Sequence, residues 1–334
     1  MIEPELLAGL RSAGLIASSA PRVTPLNGGV SSDILLVEDH SRRFVVKRAL
    51  AKLKVRDDWY ADIGRNRVEQ DFLAYAARAV PESVPGLLYA DRNAGWFAME
   101  YCGEGWRNWK SELTAGRFEA ATARLAGETL GRLHFASWNE PAVRERFDTL
   151  VNFRALRIEP YLVTTADRVA AVRGELLAEA DRLAVTRLAL VHGDYSPKNL
   201  LVAPNRLLVL DAEVAWFGDP AFDVAFLVNH LLLKALLRAE RPQPCLALVA
   251  EAWTAYSAAV GAHAGAELER RVVRLALCLM LARVHGKSPV EYLTTDEQRR
   301  CVTDFVAHHL PAPPSNLDVL VQAWSERVGS HRPR

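Results

Sequence analysis

The segment from Val191 to Glu213 constrains this chain more than any other. An apolar run ends in His192-Gly193-Asp194-Tyr195-Ser196-Pro197-Lys198-Asn199 and continues as Leu200-Leu201-Val202. After Pro204-Asn205-Arg206 it resumes as Leu207–Leu210 and closes on Asp211-Ala212-Glu213. Short apolar runs bounded by Gly, Pro, Asn and Asp read as strands, and two such runs around a tight turn read as a hairpin. A hairpin between Leu200 and Leu210 brings Asn199 and Asp211 side by side, with Glu213 and Asp194 converging on them. One amide oxygen and a set of carboxylates suit Mg2+, which prefers hard oxygen donors and leaves much of its shell to substrate phosphates. A polar turn with no further role has no need of the whole strand–loop–hairpin–carboxylate unit.

The rest of the composition excludes more than it proposes. With 334 residues the chain is long enough for two domains, or for one domain of two lobes. Lysine and arginine total 41 against 40 acidic residues, so no bulk charge points to a nucleic acid or a membrane surface as partner. Cys102, Cys245, Cys278 and Cys301 are far apart, which rules out a zinc ribbon and reads as buried thiols in a reducing compartment. The N-terminal stretch lacks a basic region ahead of an apolar one, and the apolar stretches Ala225–Leu237 and Val272–Val284 carry charged residues. The expectation is a soluble cytoplasmic protein. Gly-x-x-x-x-Gly-Lys-Ser/Thr, Gly-x-Ser-x-Gly and His-Glu-x-x-His are all absent, so neither a P-loop nor the commonest hydrolase sites are indicated.

The pattern changes near residue 102. Before it, Pro21–Val37, Arg43–Arg48, Leu87–Tyr89 and Trp96–Tyr101 read as short strands, and Arg65–Val80 has helical spacing. After Cys102-Gly103-Glu104-Gly105, helical periodicity dominates in Phe118–Phe135, Ala166–Leu183, Phe222–Ala239, Cys245–Val260, Leu268–Val284, Asp296–His309 and Leu317–Val328. Between the first two strands lies Gly28-Gly29-Val30-Ser31-Ser32, whose amides and hydroxyls suit phosphate oxygens.

His-Gly-Asp-x-x-x-x-Asn followed by Asp-x-Glu resembles the catalytic segment of the aminoglycoside phosphotransferase and choline kinase group, small-molecule relatives of the protein kinases. Gly193 stands where protein kinases carry arginine, and Ala212-Glu213 where they carry Phe-Gly. The absence of an Ala-Pro-Glu element points the same way, to the small-molecule branch. The resemblance implies an α+β, bilobal protein-kinase-like fold. Residues 1–101 would form a nucleotide-binding lobe, 102–105 a hinge, and 106–334 a helical lobe with the catalytic loop and acceptor site. It implies Asp194 as the base that accepts or orients the proton of the attacking hydroxyl. Asn199 and Asp211 would hold Mg2+ against the phosphates, and Glu213 a second ion or the acceptor. Lys47, after Phe44-Val45-Val46, would reach the α- and β-phosphates of ATP (or GTP), paired with Glu69, with Asp71 as competitor. Met99 would border the adenine, and backbone groups of Glu100, Tyr101 and Cys102 would bond it. The nucleotide would lie between the lobes.

The acceptor is less constrained. Asp223 is expected to anchor the catalytic loop. Asp219 reads as a helix N-cap with Pro220 at the first helical position, or as a substrate contact. Trp216 is a candidate pocket wall. Arg283 and His285 end a long helix, where basic groups complement the dipole, and facing a cleft they would suit a hydroxyl-rich or anionic acceptor. The run from Glu213 to Asp223 is similar to that of methylthioribose kinases, which favours a sugar or polyol. An aminoglycoside, a choline-like amino alcohol, and a non-catalytic binding module of the same fold are the alternatives. Oligomeric state is left open.

Overall fold

The unbroken apolar runs Phe44-Val45-Val46 and Trp96–Met99 build the centre of a sheet whose two faces are both covered. The structure is a computed structural model and describes residues 3–26, 32–50 and 64–330. The chain divides into two units, Met1–Gly105 and Trp106–Arg334.

In the first unit, helix α1 (Pro4–Ser12) precedes strands β1 (Arg22–Pro25), β2 (Ser32–Asp39) and β3 (Arg42–Ala49). Helix α2 (Arg65–Ala79) then leads to β4 (Leu87–Asp91) and β5 (Trp96–Glu100). The sheet is antiparallel in the order β1-β2-β3-β5-β4. Phe44, Val46, Trp96 and Ala98 pack with Leu6 and Leu10 of α1 into one core. Period-2 alternation sends Lys47 to the opposite face. In β3 it lies opposite Ile34 of β2 and Phe97 of β5.

The second unit is mainly helical. It opens with β6 (Arg107–Asn108), α3 (Trp109–Thr114), α4 (Ala120–Ser137), α5 (Pro141–Arg146) and α6 (Leu150–Phe153). A π-helical stretch, Arg154–Val163, runs into α7 (Thr164–Arg168) and, after a 3₁₀ turn, α8 (Arg173–Val185). The sequence pattern predicts one helix over Ala166–Leu183. Val169 breaks it by leaving the helical region, with φ −126° and ψ 84°. Four short strands follow: β7 (Ala189–Val191), β8 (Leu200–Ala203), β9 (Arg206–Val209) and β10 (Trp216–Gly218). The unit ends with α9 (Ala221–Leu237), α10 (Gln243–Val260), α11 (Ala266–His285), α12 (Asp296–His309) and α13 (Leu317–Gly329).

Helices α4 and α10 touch backbone to backbone. A Cβ at Gly127 would stand 2.0 Å from the Ala252 carbonyl oxygen, and one at Gly131 2.6 Å from Ala259 Cβ. Only glycine admits that approach. Among the described residues, one helical stretch, Gln243–His263, is long and apolar enough by length and composition to cross a membrane. Most of it is α10, which seats this face on α4. Helix α9 is buried on nearly every side, and the Trp324 indole of α13 donates to the Leu232 carbonyl at 2.8 Å. The effect is to hold the first turn of α9 rigidly beneath the polar loop that follows β7.

Candidate active site

The loop after β7 is fixed by its backbone first. Gly193 has φ +78°, and a Cβ there would lie 2.7 Å from the Val214 carbonyl oxygen, so glycine is required twice over. Asp223, in the first turn of α9, accepts the His192 amide at 2.6 Å and the Gly193 amide at 2.9 Å. This is the anchoring expected from the sequence. The same carboxylate lies 3.3 Å from His134 Nε2, and the other His134 nitrogen 3.0 Å from the Tyr256 hydroxyl. His192 accepts the Asp194 amide at Nδ1 (3.1 Å), and its Nε2 is 3.1 Å from the Leu210 carbonyl oxygen. That pattern requires the neutral ring protonated at Nε2. Burial, which pushes the His192 pKa down against the pull of Asp223 and Asp194, favours the same form.

The hairpin forms between β8 and β9, with Leu200 opposite Val209 and Asn205 at φ +55° in the turn. Just beyond its paired residues, the Leu210 amide donates to the Asn199 carbonyl at 2.9 Å. Asn199 and the stretch entering Asp211 are therefore tied together. The Asn199 Nδ2 donates to the Asp194 carbonyl at 3.0 Å, which fixes the amide orientation and leaves Oδ1 as an acceptor. Asp211 itself is left-handed, φ +69°.

Asp194 is buried and held by two cations, Lys198 Nζ at 2.9 Å and Arg157 Nη2 at 3.2 Å, both to Oδ2. Burial raises a carboxyl pKa, but here Lys198 and Arg157 outweigh it and hold the group below its ordinary value. Asp194 is thus ionised at neutral pH. Arg157 also donates to the Gly193 and Leu156 carbonyls, and its guanidinium lies 5.6 Å from the centre of the Tyr161 ring. Its environment includes the charges of Glu213 and Asp211.

The donors fit a Mg2+ ion of the kind that takes one or two protein carboxylates and completes its shell from phosphates: the Asn199 amide oxygen, oriented from behind, and the Asp211 carboxylate. The charges of Asp211 and Glu213 are felt at the Asp194–Arg157 pair, as the sequence leads one to expect of neighbours. Among the described residues, no group of three or more His, Cys, Asp or Glu side chains is placed to hold a metal. Lys198 and Arg157 engage Asp194, and Glu213 is buried, its backbone carbonyl accepting from Asn152 at 2.8 Å.

The four candidate acceptor residues separate. Trp216 is wholly buried in β10, stacked on Phe153 at 4.4 Å with the Arg187 guanidinium 4.9 Å from its ring centre. It is core rather than a pocket wall. Asp219 is also interior. It accepts the Ala221 amide at 3.0 Å as the N-terminal cap of α9, and pairs with Arg182 at 2.5 Å and Arg271 at 3.1 Å. Three helices share that carboxylate, so it has nothing left for an acceptor. His285 turns to α12, 2.8 Å from the Thr303 hydroxyl, and burial lowers its pKa. Arg283 turns the other way. Its Nη1 donates to the Tyr161 hydroxyl at 3.2 Å and to the Ser288 hydroxyl at 2.8 Å. Sequence reasoning did not single out Arg157, Tyr161 or Lys198. Lys198 lay inside the quoted loop. Arg157 and Tyr161 sit on the π-helical stretch and carry no local signal.

In the first unit Lys47 Nζ lies 2.8 Å and 2.7 Å from the two oxygens of Glu69, and both side chains are 3% exposed. The competitor Asp71 pairs with Arg92. Gly28, Gly29, Val30 and Ser31 lie outside the described residues, and Ser32 begins β2 opposite Ala49. Met99 is buried opposite Val45. The Glu100 amide donates to the Gly86 carbonyl at 2.9 Å, and its carboxylate accepts the Gly86 amide at 3.1 Å. That amide is therefore taken, and a ligand would have to use other backbone groups of this stretch. Tyr101 lies under the Arg43 guanidinium at 4.7 Å. Cys102 is half-buried, unlike the other three thiols, and all four cysteines are free.

Residues 22–270 match the phosphotransferase enzyme family. Similar curated proteins include the methylthioribose kinase of Pectobacterium atrosepticum, 26% identical over 57% of this chain and 54% of its own length. That of a Geobacillus strain is 25% identical over 76% and 72%. The chain thus spans about half the length of the first of these relatives. Among solved structures, a choline/ethanolamine kinase family protein from Mesorhizobium loti superposes with a TM-score of 0.59 at 17% identity, covering 98% of each chain. A putative fructosamine-3-kinase from Thermobifida fusca does so with 0.53 at 21%, covering 91% and 97%. These likenesses show the fold, a protein-kinase-like α+β architecture with a small antiparallel sheet unit and a larger helical one. By the extent of the match and the loop that lies within it, the chain belongs to the phosphotransferase enzyme family.

Proposed function

We propose that this protein transfers the γ-phosphoryl group of ATP, with Mg2+, to a hydroxyl of a small molecule, and that the acceptor is a sugar or other polyol. The observation that carries the reading is the ionised Asp194 carboxylate, buried on a loop whose neighbouring Asn199 and Asp211 supply oriented oxygen donors. Phosphoryl transfer asks for a positioned nucleophile and charge neutralisation, and for little covalent chemistry from the protein. Asp194 orients the acceptor hydroxyl and takes its proton as the new O–P bond forms and the bond to the departing ADP breaks. A carboxylate of lowered pKa is a weak base, which suits a loose transition state in which the proton leaves late. Asn199 and Asp211 would hold the metal, which supplies charge neutralisation on the phosphates. Lys47, fixed by Glu69, supports the reading as the cation for the nucleotide phosphates. Kinship with methylthioribose kinases favours a sugar acceptor. Reduced thiols and dependence on ATP favour the cytoplasm.

The test is ADP release from Mg-ATP against a panel of sugars, aminoglycosides and amino alcohols, with Asp194→Ala as control. Removing a general base costs about 10²–10⁴-fold in rate. Acceptor-dependent turnover lost to that extent, with nucleotide binding retained, supports the assignment. Near-normal turnover in Asp194→Ala would remove Asp194 from its role, and no turnover with any acceptor would leave a non-catalytic binding protein.

A further inference from the structure

Lys198 and Arg157 meet at Asp194 within the field of Asp211 and Glu213, and beyond them stands a cation with no carboxylate of its own among the described residues. One carboxylate meets two cations, Lys198 at 2.9 Å and Arg157 at 3.2 Å. A third cation, Arg283, joins through Tyr161, which packs within 5.6 Å of Arg157 and 5.8 Å of Arg283. Among the described residues Arg283 has no carboxylate within ion-pair reach. Its Nη1 is spent on Tyr161 and Ser288, and its Nε is buried with no hydrogen-bonding partner. Tyr161 accepts from Arg283, so its own O–H remains to be donated. The Tyr292 hydroxyl nearby is likewise buried without a partner. Lys234, on α9, lies 3.7 Å from the centre of the Tyr292 ring and bonds only the neutral Thr114 hydroxyl, at 2.6 Å.

Two neighbouring groups, Tyr161 and His230, register the charge of Arg283. Burial would raise the Tyr161 phenol, yet Arg283 and Arg157 together hold it below its ordinary pKa. His230, one turn before Lys234, is pushed well down by burial and then by Arg283, Lys198 and Lys234, so it is neutral. Lys234 is itself pushed down to about 8, first by burial and then by Lys110. The nearby anions are already engaged: Glu291 pairs with Lys110 at 2.5 Å, and Asp211 belongs to the proposed metal site. Arg283 also lines a cavity of about 430 Å3 together with Val290, Glu291, Leu293, Thr294 and Arg299. Asp194, Arg157 and Tyr161 do not line it, so it marks space beside Arg283 and not the place where an acceptor hydroxyl meets Asp194.

We propose that Arg283, with Arg157 and the Tyr161 hydroxyl, binds an anionic oxygen group on the acceptor, a carboxylate or a phosphate, while Asp194 addresses a hydroxyl of the same molecule. The acceptor class is then a sugar acid or sugar phosphate. A polycation or a quaternary amine would meet like charge at Arg283 and Arg157. An oxyanion would satisfy the buried Arg283 Nε and the free Tyr161 proton, which otherwise cost stability. This inference rests on the phosphotransferase reading and narrows it.

The test is ADP release from Mg-ATP with matched acceptors: ribose, ribonate and ribose 5-phosphate; glucose, gluconate and glucose 6-phosphate; choline and kanamycin. Wild type is compared with Arg283→Gln and Arg283→Lys. The expected result is a kcat/KM at least tenfold higher for an acid or a phosphate ester than for the parent sugar, the two arms separating carboxylate from phosphate. Arg283→Gln should collapse that ratio through KM, and Arg283→Lys should restore part of it. Equal or better turnover of the neutral or cationic acceptors, or an unchanged ratio in Arg283→Gln, would overturn the proposal and leave the kinase reading standing. No ADP release with any acceptor would overturn both. If Arg283→Gln fails to fold by thermal melting, the wild-type ranking and Arg283→Lys decide alone.

Discussion

Glu69 in the first unit and Asp194 in the second are both buried carboxylates that hold a lysine, at 2.7 Å and 2.9 Å respectively. Around Glu69 the contact is buried on both sides: Lys47 is as buried as its partner. Around Asp194 two cations, Lys198 and Arg157, share several carboxylates, Asp211 and Glu213 among them, and the Lys198 side chain stays 47% exposed. A buried pair fixes the position of a cation. An open cluster keeps an exposed arm, which a substrate requires and a structural bridge does not.

The largest way to break this contrast is at the buried pair. Lys47→Met strands Glu69 in the interior, and the loss of one partner of a buried pair costs about 3–5 kcal/mol. Urea unfolding should show it, and Lys47→Met combined with Glu69→Leu should recover most of the loss, because an apolar pair replaces a buried ion pair at little net cost. Failure of the double variant to recover would mean that the pair is not energetically closed.

A smaller effect is expected at the open cluster, and it appears in pH dependence more than in stability. Because the folded Asp194 carboxyl lies below its ordinary value, its ion pairs stabilise the protein above the unfolded carboxyl pKa of about 3.9. That contribution disappears as pH falls through the lower folded value. Lys198→Met removes the largest opposing charge and leaves the upward push of burial facing Arg157 alone. The folded pKa must rise, so the acid limb of kcat should move to higher pH in a pH–rate profile. An unmoved limb would show that Lys198 does not govern Asp194. The smallest effect is expected at Asp71. Its pair with the half-exposed Arg92 is a surface bridge worth about 0.2–1 kcal/mol, and Asp71→Asn should leave the thermal midpoint nearly unchanged.

The same contrast explains what was legible in the sequence. The His192–Asn199 loop, the hairpin and the carboxylate at Asp211 lie within twenty-odd residues, so their mutual placement follows from strand and turn chemistry. Asp223 was legible because it sits at the start of a strongly apolar helix just downstream. Lys47 and Glu69 were legible as a strand end followed by an acidic helix, although only packing decides between Glu69 and Asp71. Arg157 and Tyr161 reach Asp194 from a π-helical stretch containing Pro160, a geometry that no periodicity announces. The acceptor readings of Trp216 and Asp219, each given beside a structural one, find no support in their packing, for the opposite reason. Adjacency to the site in sequence is visible, whereas the direction in which a strand points its side chain depends on what packs beneath it. For Trp216 that is Phe153, and for Asp219 the arginines of α8 and α11.

The bond from the Leu210 amide to the Asn199 carbonyl closes the hairpin at its base, and the turn at Pro204 and Asn205 is fully exposed at the other end. Asn199 and the stretch entering Asp211 are therefore clamped together independently of how far the strands run before they turn back. The tip is spare length. It is where evolution could lengthen this chain, or an engineer splice in a reporter, and leave the chemistry at the base undisturbed.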